Sequence, residues 1–307
     1  MMSPDLKKRI ETKTSRTAEW VCLCRAISSL EKDNCYRSDD RVALSLLPHF
    51  LRLLIHIPFV GRLFLRVFAA RGIYEYVIAR TKYIDAVFRQ ALSDQFSQIL
   101  LFGAGFDTRA LRFQEEARQT KIFELDAPAT QEAKLAQYKK RHLSIPPNAV
   151  FVPIDFDRES LPLKLGQAGF RTDERSLFIL EGVLEYLQPQ SVDQTFRTIR
   201  ELAGAGSEVV FNYIYASVLR HQDMYYGEKG ALETVAKAGE SWHFGIEKGE
   251  IGQFLSRYGF QLRDNRDARE LEEMYFRDPA GRIVGRLNGT HCLARAVRTR
   301  SAPGRTK

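Results

Sequence analysis

The run Ile99-Leu100-Leu101-Phe102 followed by Gly103-Ala104-Gly105 limits what this chain can fold into more than any other stretch. It is an apolar segment of strand length, it ends in Gly-x-Gly, and the residues after it favour helix. Glycines at such a junction let the backbone turn sharply and approach a ligand, and the first turn of a helix offers N–H groups that lack intrahelical partners. Strand, glycine turn and helix in that order form a nucleotide-binding crossover. Gly-x-Gly also occurs in purely structural turns, so the weight of the motif depends on what lies downstream.

The hydrophobic pattern divides the chain in two. Residues 1–92 read as helical. A helix over 18–30 has Ser15 or Thr17 as its cap, and Ser38-Asp39-Asp40 caps a second helix that Pro48 stops. Pro58 and Gly61 break the next segment, and a long helix is expected over 73–92. From residue 98 strands and helices alternate. Strands are expected at 99–102, 121–126, 149–155, 177–180 and 208–214, with helices at 108–117, 128–141 and 191–202. Such alternation predicts an α/β fold, a Rossmann-like doubly wound sheet with its strand C-termini along one ligand-binding edge. Further on, a helix is expected at 249–258 and strands at 260–263 and 289–297. With no helix evident between them, these two strands read as an antiparallel hairpin closing the sheet. The expected organisation is a helical cap over 1–92, a cofactor-binding domain over 93–298 and a basic, disordered tail over 299–307.

Composition excludes several classes. The formal net charge is +8, but the stretch from Arg295 onward holds five basic residues (Arg295, Arg298, Arg300, Arg305 and Lys307) and no acid. The body is therefore nearly neutral, which does not suit a nucleic-acid-binding face. No apolar run reaches the ~20 residues of a membrane helix, and the most apolar region, 50–70, is interrupted by Arg52, His56, Pro58, Arg62 and Arg66. Charged residues near the N-terminus do not resemble a secretion signal, and the cytoplasm is the expected location. Cys22, Cys24, Cys35 and Cys292 form no zinc-like spacing, the histidines are scattered, and no metal is expected.

Two acids specify the ligand. Asp126 ends the second expected strand, 23 residues after Gly103, where a carboxylate accepts from ribose hydroxyls. Asp155 ends the third, within Val152-Pro153-Ile154-Asp155-Phe156, where an acid can accept from an adenine amino group and Phe156 can flank the ring. Dinucleotide sites use a third glycine for helix packing against a pyrophosphate. Thr108 occupies that position here, which favours a nucleoside ligand without phosphates over NAD.

Several segments together resemble the leucine carboxyl methyltransferase-like family, in particular its bacterial branch of S-adenosyl-L-methionine-dependent methyltransferases. They are Ser15-Arg16-Thr17-Ala18, Ala79-Arg80-Thr81-Lys82-Tyr83-Ile84-Asp85, Leu101 to Arg109, Glu124-Leu125-Asp126-Ala127-Pro128, Pro153-Ile154-Asp155-Phe156 and Glu181-Gly182-Val183-Leu184-Glu185-Tyr186-Leu187. The resemblance implies a class I methyltransferase fold, seven strands with the last antiparallel. It implies S-adenosyl-L-methionine as cofactor, with Arg80 on its carboxylate, Gly103, Ala104 and Gly105 against the methionine portion, Asp126 on the ribose, Asp155 and Phe156 at the adenine, and Glu181 near the methionine end.

Methyl transfer from a sulfonium asks mainly for alignment and exclusion of water. A carboxylate acceptor needs no base, whereas a hydroxyl is helped by one. His243 and Tyr213 are candidates for a catalytic role, His221 is a second candidate base, and Tyr215, Tyr225, Tyr226 and Trp242 supply further acceptor surface. The expected activity is O-methylation of a small-molecule carboxylate or hydroxyl. An NAD(P)-dependent oxidoreductase and a non-catalytic binding protein that keeps the cofactor fold are the alternatives.

Overall fold

The computed structural model describes residues 16–299 except 58–59, 62–64, 66–68 and 157. The cap candidate Ser15 and most of the expected basic tail therefore lie outside the described residues. Thr17 falls inside the first helix rather than before it, and its hydroxyl donates to Glu240.

Helices α1 (Arg16–Ser29), α2 (Val42–Leu46), α3 (His49–Ile55) and α4 (Ile73–Ser93) precede the sheet. Asp40 accepts from the Ala43 N–H at 3.1 Å at the start of α2, as the Ser38-Asp39-Asp40 signal predicts. The sheet is built from β1 (Gln98–Phe102), β2 (Lys121–Asp126), β3 (Ala149–Pro153), β4 (Ser176–Leu180), β5 (Glu208–Ile214), β6 (Phe260–Arg266) and β7 (His291–Arg298). Their order is β3-β2-β1-β4-β5-β7-β6. The first five strands pair in parallel, and β7 runs antiparallel to both β5 and β6.

Alternation along β1 shows why both faces are covered. Ile99 and Leu101 enter a core shared with α1, α4 and Tyr138 of α6 (Pro128–Lys140), so the N-terminal helices and this face of the sheet form one continuous core. Leu100 and Phe102 enter the opposite core, with α7 (Leu161–Gln167), α8 (Pro189–Leu202) and α10 (Ile251–Ser256). A strand buried on both faces reads as an unbroken apolar run.

Two expectations are corrected. The helix after the glycine turn is a single turn, α5 (Arg109–Arg112), rather than 108–117. At its start the Arg109 N–H bonds to the Asp107 side chain at 2.7 Å. At its end the ladder slips from i−4 to i−3, the Gln114 N–H meeting Leu111 O at 3.5 Å. Such an i−3 bond tightens the final turn and ends the α-helical ladder. The last two strands are antiparallel neighbours, but they are not a simple hairpin, because α11 (Ala268–Tyr275) lies between them. Its start is a capping box, Asp267 accepting from the Glu270 N–H and Glu270 from the Asp267 N–H. A further helix, α9 (Glu228–Lys237), lies in the insert after β5.

Candidate active site

The parallel strands end together. Phe102 sits in register with Leu125 on one side and Leu180 on the other. The chain reverses direction across the sheet between β1 and β4, so this edge is a topological switch point, where open α/β sheets bind ligands. Gly103 (φ +57°) and Gly105 (φ +48°) both adopt left-handed backbone there. A Cβ on Gly103 would lie 3.1 Å from Val183 Cγ2, and one on Gly105 would lie 3.0 Å from Ala18 Cβ. The turn is thus enclosed by α1 and by the segment after β4.

Asp126 holds this turn from the adjacent strand. One carboxylate oxygen accepts from the Gly105 N–H and the other from the Ala127 N–H at 2.7 Å. Burial pushes its pKa up, and the two N–H donors offset this only in part. Asp155 lies two residues beyond β3, on the same edge. The Ile154 N–H bonds to Asp126 O at 2.9 Å and keeps the two strand ends together. The Asp155 carboxylate lies 3.6 Å from Arg158. Phe156 is 48% exposed, with its ring stacked on Phe102 at a centroid distance of 6.3 Å. An exposed ring that keeps a fixed orientation is a ready surface for a planar group.

Behind the turn is a buried ionic network. Glu181, one residue past β4, bonds to Arg80 Nε at 2.9 Å and to Arg109 Nη1 at 2.8 Å. Arg109 also bonds to Asp85 at 2.8 Å and to Asp107, while Arg112 reaches Asp85 at 2.7 Å and Asp40 at 3.5 Å, and Arg25 meets Asp40 at 3.1 Å. Four guanidinium groups therefore face four carboxylates. Burial raises the pKa of Glu181, but Arg109 and Arg80 outweigh it and hold the acid below its usual range. The same contest leaves Asp107 at about 2, burial opposing and Arg109 and Arg25 prevailing. Arg80 spends Nε on Glu181, and its Nη1 lies 3.5 Å from where a Gly182 Cβ would stand, beside the ligand edge.

A second buried group lies one turn further on. Glu185 accepts from Asn212 Nδ2 at 3.0 Å through Oε1, and Asn212 Oδ1 accepts from the Gly182 N–H at 2.6 Å. Glu185 Oε2 is buried without a hydrogen-bond partner on another described residue, and the Tyr76 hydroxyl lies beside the Arg80 guanidinium. The Tyr76 ring stacks on His291 at 4.2 Å, Trp242 packs edge-on against His291 at 5.2 Å, and the Arg80 guanidinium lies 5.3 Å from the Tyr76 ring centre.

The structure brings Arg80, Gly103, Ala104, Gly105, Asp126, Asp155, Phe156 and Glu181 to one edge of the sheet. The acceptor candidates fare differently. His243 is held beside the edge through its backbone N–H, which donates to Glu185 O at 2.7 Å. Tyr213 is buried in β5, its hydroxyl donating to Asn265 of β6 at 3.0 Å across β7, on the side of the sheet away from the glycine turn. Sequence reasoning did not single out Asp85, Asp107 and Arg109 as an ion cluster, nor Tyr76, Glu185 and His291. Acids and arginines at 85, 107 and 109 within the motif-bearing segments were the available signal.

The strand order, the antiparallel β7 and the glycine turn at the β1/β4 switch point define a class I methyltransferase fold. The chain belongs to the leucine carboxyl methyltransferase family, whose sequence profile matches residues 18–200. A protein of Mycolicibacterium paratuberculosis, provisionally named as an S-adenosyl-L-methionine-dependent methyltransferase, is 28% identical over 196 residues, covering 63% of this chain and 62% of that protein. A Bacillus subtilis protein with the same provisional name is 26% identical over 199 residues, covering 65% of each. In neither case does the match reach two thirds of the relative's length. A crystal structure from Thermobifida fusca, provisionally titled a methyltransferase, shares the fold with a TM-score of 0.60 at 14% identity, covering 98% of this chain and all of that one. No helix among the described residues is long and apolar enough to cross a membrane.

Proposed function

We propose that this protein is an S-adenosyl-L-methionine-dependent O-methyltransferase acting on a small-molecule carboxylate or hydroxyl in the cytoplasm. The observation that carries this reading is the alignment of the Gly103–Gly105 turn, Asp126, Asp155 and the Arg80–Glu181 pair on one strand edge. The residues suit the cofactor. The Arg80 guanidinium has Nη groups beyond its bond to Glu181, a forked donor for an amino-acid carboxylate. Asp126 presents a carboxylate to ribose hydroxyls, and the partly exposed Phe156 ring with Asp155 suits adenine. Glu181 offers its charge to the ammonium group. When bound, the cofactor supplies an electrophilic methyl on a neutral leaving group. The chain holds both partners in line and keeps water out, and the α1 contact over Gly105 contributes to that enclosure.

Thermal-shift titration with S-adenosylhomocysteine and, separately, with NAD tests the reading. Stabilisation by S-adenosylhomocysteine alone is expected. Stabilisation by NAD alone would return the chain to the oxidoreductase alternative, and product-analogue binding without turnover on an acceptor panel would leave a binding protein. Asp126→Ala is expected to weaken S-adenosylhomocysteine by roughly 10- to 100-fold, since it removes hydrogen bonds to a charged acceptor. Isothermal titration would read this, and an unchanged affinity would remove Asp126 from the site.

A further inference from the structure

The methyl-transfer reading leaves the acceptor open between a carboxylate and a hydroxyl. We propose that Glu185 is the general base for a hydroxyl acceptor carried on a planar ring, which Tyr76, His291 and Trp242 receive. This deepens the proposed function and rests on it.

The argument begins with charge. The four guanidinium groups behind the glycine turn are matched by Asp40, Asp85, Asp107 and Glu181. Glu185 forms no ion pair among the described residues, and the Arg80 charge that reaches it is shared with Glu181. It is 2% exposed, and its one side-chain partner is the neutral Asn212 amide. Its second oxygen has no partner among the described residues. A buried carboxylate oxygen in that state favours a donor, and an acceptor O–H is one. A carboxylate acceptor would set a second anion against it, and Arg80, the nearby cation, is already paired with Glu181.

Position supports the same choice. Glu185 lies four residues after Glu181, and Asn212 bridges it to the Gly182 N–H, so it is tied to the segment that forms the methionine end of the proposed cofactor site. Residues 243 and 244 donate their N–H groups to Glu185 O at 2.7 and 3.4 Å, which fastens the insert after β5 to this acid. The Tyr76 hydroxyl lies beside the Arg80 guanidinium and within reach of the Glu185 charge, and its ring stacks on His291 with Trp242 edge-on. Burial raises the pKa of Glu185, its own backbone N–H, Arg80 and the Asn212 amide offsetting it only in part, which makes it a stronger base than an exposed carboxylate.

The step balances. Glu185 Oε2 takes the hydroxyl proton, the acceptor oxygen forms its bond to the methyl carbon, and the methyl–sulfur bond breaks with its electron pair retained on sulfur. The products are the methyl ether, the neutral thioether S-adenosylhomocysteine and protonated Glu185.

The test uses 4-methylphenol and 4-methylbenzoate, two rings differing in the acceptor group. Each is titrated into protein saturated with S-adenosylhomocysteine, in the wild type, Glu185→Gln and Glu185→Asp. The wild type is expected to bind the phenol about tenfold more tightly than the benzoate or better. Glu185→Gln is expected to erase that preference with S-adenosylhomocysteine affinity unchanged, and Glu185→Asp, which keeps the carboxylate, to retain part of it. Binding of neither ring, a preference for the benzoate, or a phenol preference that survives Glu185→Gln would overturn the proposal. Failure of the wild type to bind S-adenosylhomocysteine would instead overturn the methyl-transfer reading beneath it.

Discussion

Replacing Arg109 by methionine is expected to destabilise the protein by about 3–5 kcal/mol, the usual cost of removing one partner from a buried ionic cluster. Arg109 is fully buried and joins Asp85, Asp107 and Glu181. Its loss does not strand all three acids equally. Asp85 keeps Arg112 at 2.7 Å, and Glu181 keeps Arg80 at 2.9 Å. Asp107 has no second ion-pair partner among the described residues, and its depressed pKa depends first on Arg109 once burial is overcome. Adding Asp107→Asn to the Arg109→Met protein is therefore expected to restore stability by about 1–2 kcal/mol, because it removes the uncompensated charge. Urea unfolding of both variants measures this. A single variant within about 0.5 kcal/mol of the wild type would show that the cluster contributes nothing net.

The second large effect is in pH. Burial, with the Arg80 charge adding to it, pushes the His291 imidazole down from 6.5 to about 3. An unfolded chain takes up that proton near 6.5, while the folded chain does so only near 3. Between those values the unfolded state binds more protons, so stability falls as pH falls. From neutral pH to pH 4 the histidine alone is expected to cost about 3 kcal/mol. His291→Phe keeps a ring against Tyr76 and gives up the 2.7 Å bond to Thr290 Oγ1. The variant is expected to start less stable at pH 7 and to lose about 3 kcal/mol less than the wild type on going to pH 4. Parallel slopes for the two proteins would show that His291 is protonated in the folded state near its ordinary value.

The parts of this molecule legible from its sequence are those that physics fixes locally. Strands β2 and β5 match their expected limits because each is an apolar run bounded by turn or charged residues. The glycine turn was legible because only glycine adopts its left-handed angles without strain. The short α5 was not legible. Residues 109–117 favour helix, but the backbone ladder slips to i−3 after the first turn, the Gln114 N–H meeting Leu111 O. The helix α11 carried a local signal, Asp267 followed three residues later by Glu270, and the strand pattern around it obscured that signal. Arg80, Asp126 and Glu181 lie in segments that the sequence groups by a shared motif. Glu181 pairs with Arg109 across 72 positions and with Arg80 across 101. No spacing rule reaches that far.

The position of β7 governs when the molecule can become whole. It follows both of its sheet neighbours in the chain yet lies between them, so β5 offers an open edge and β6 has no place in the sheet until residues 291–298 arrive. During synthesis, the first five strands can associate from the N-terminal side while that edge stays available to other chains. The strand that closes it begins with His291, so the ring against Tyr76 is put in place in the same late event. A nascent chain before β7 has docked lacks this ring, so the acceptor site proposed above would be the last part of the molecule to form.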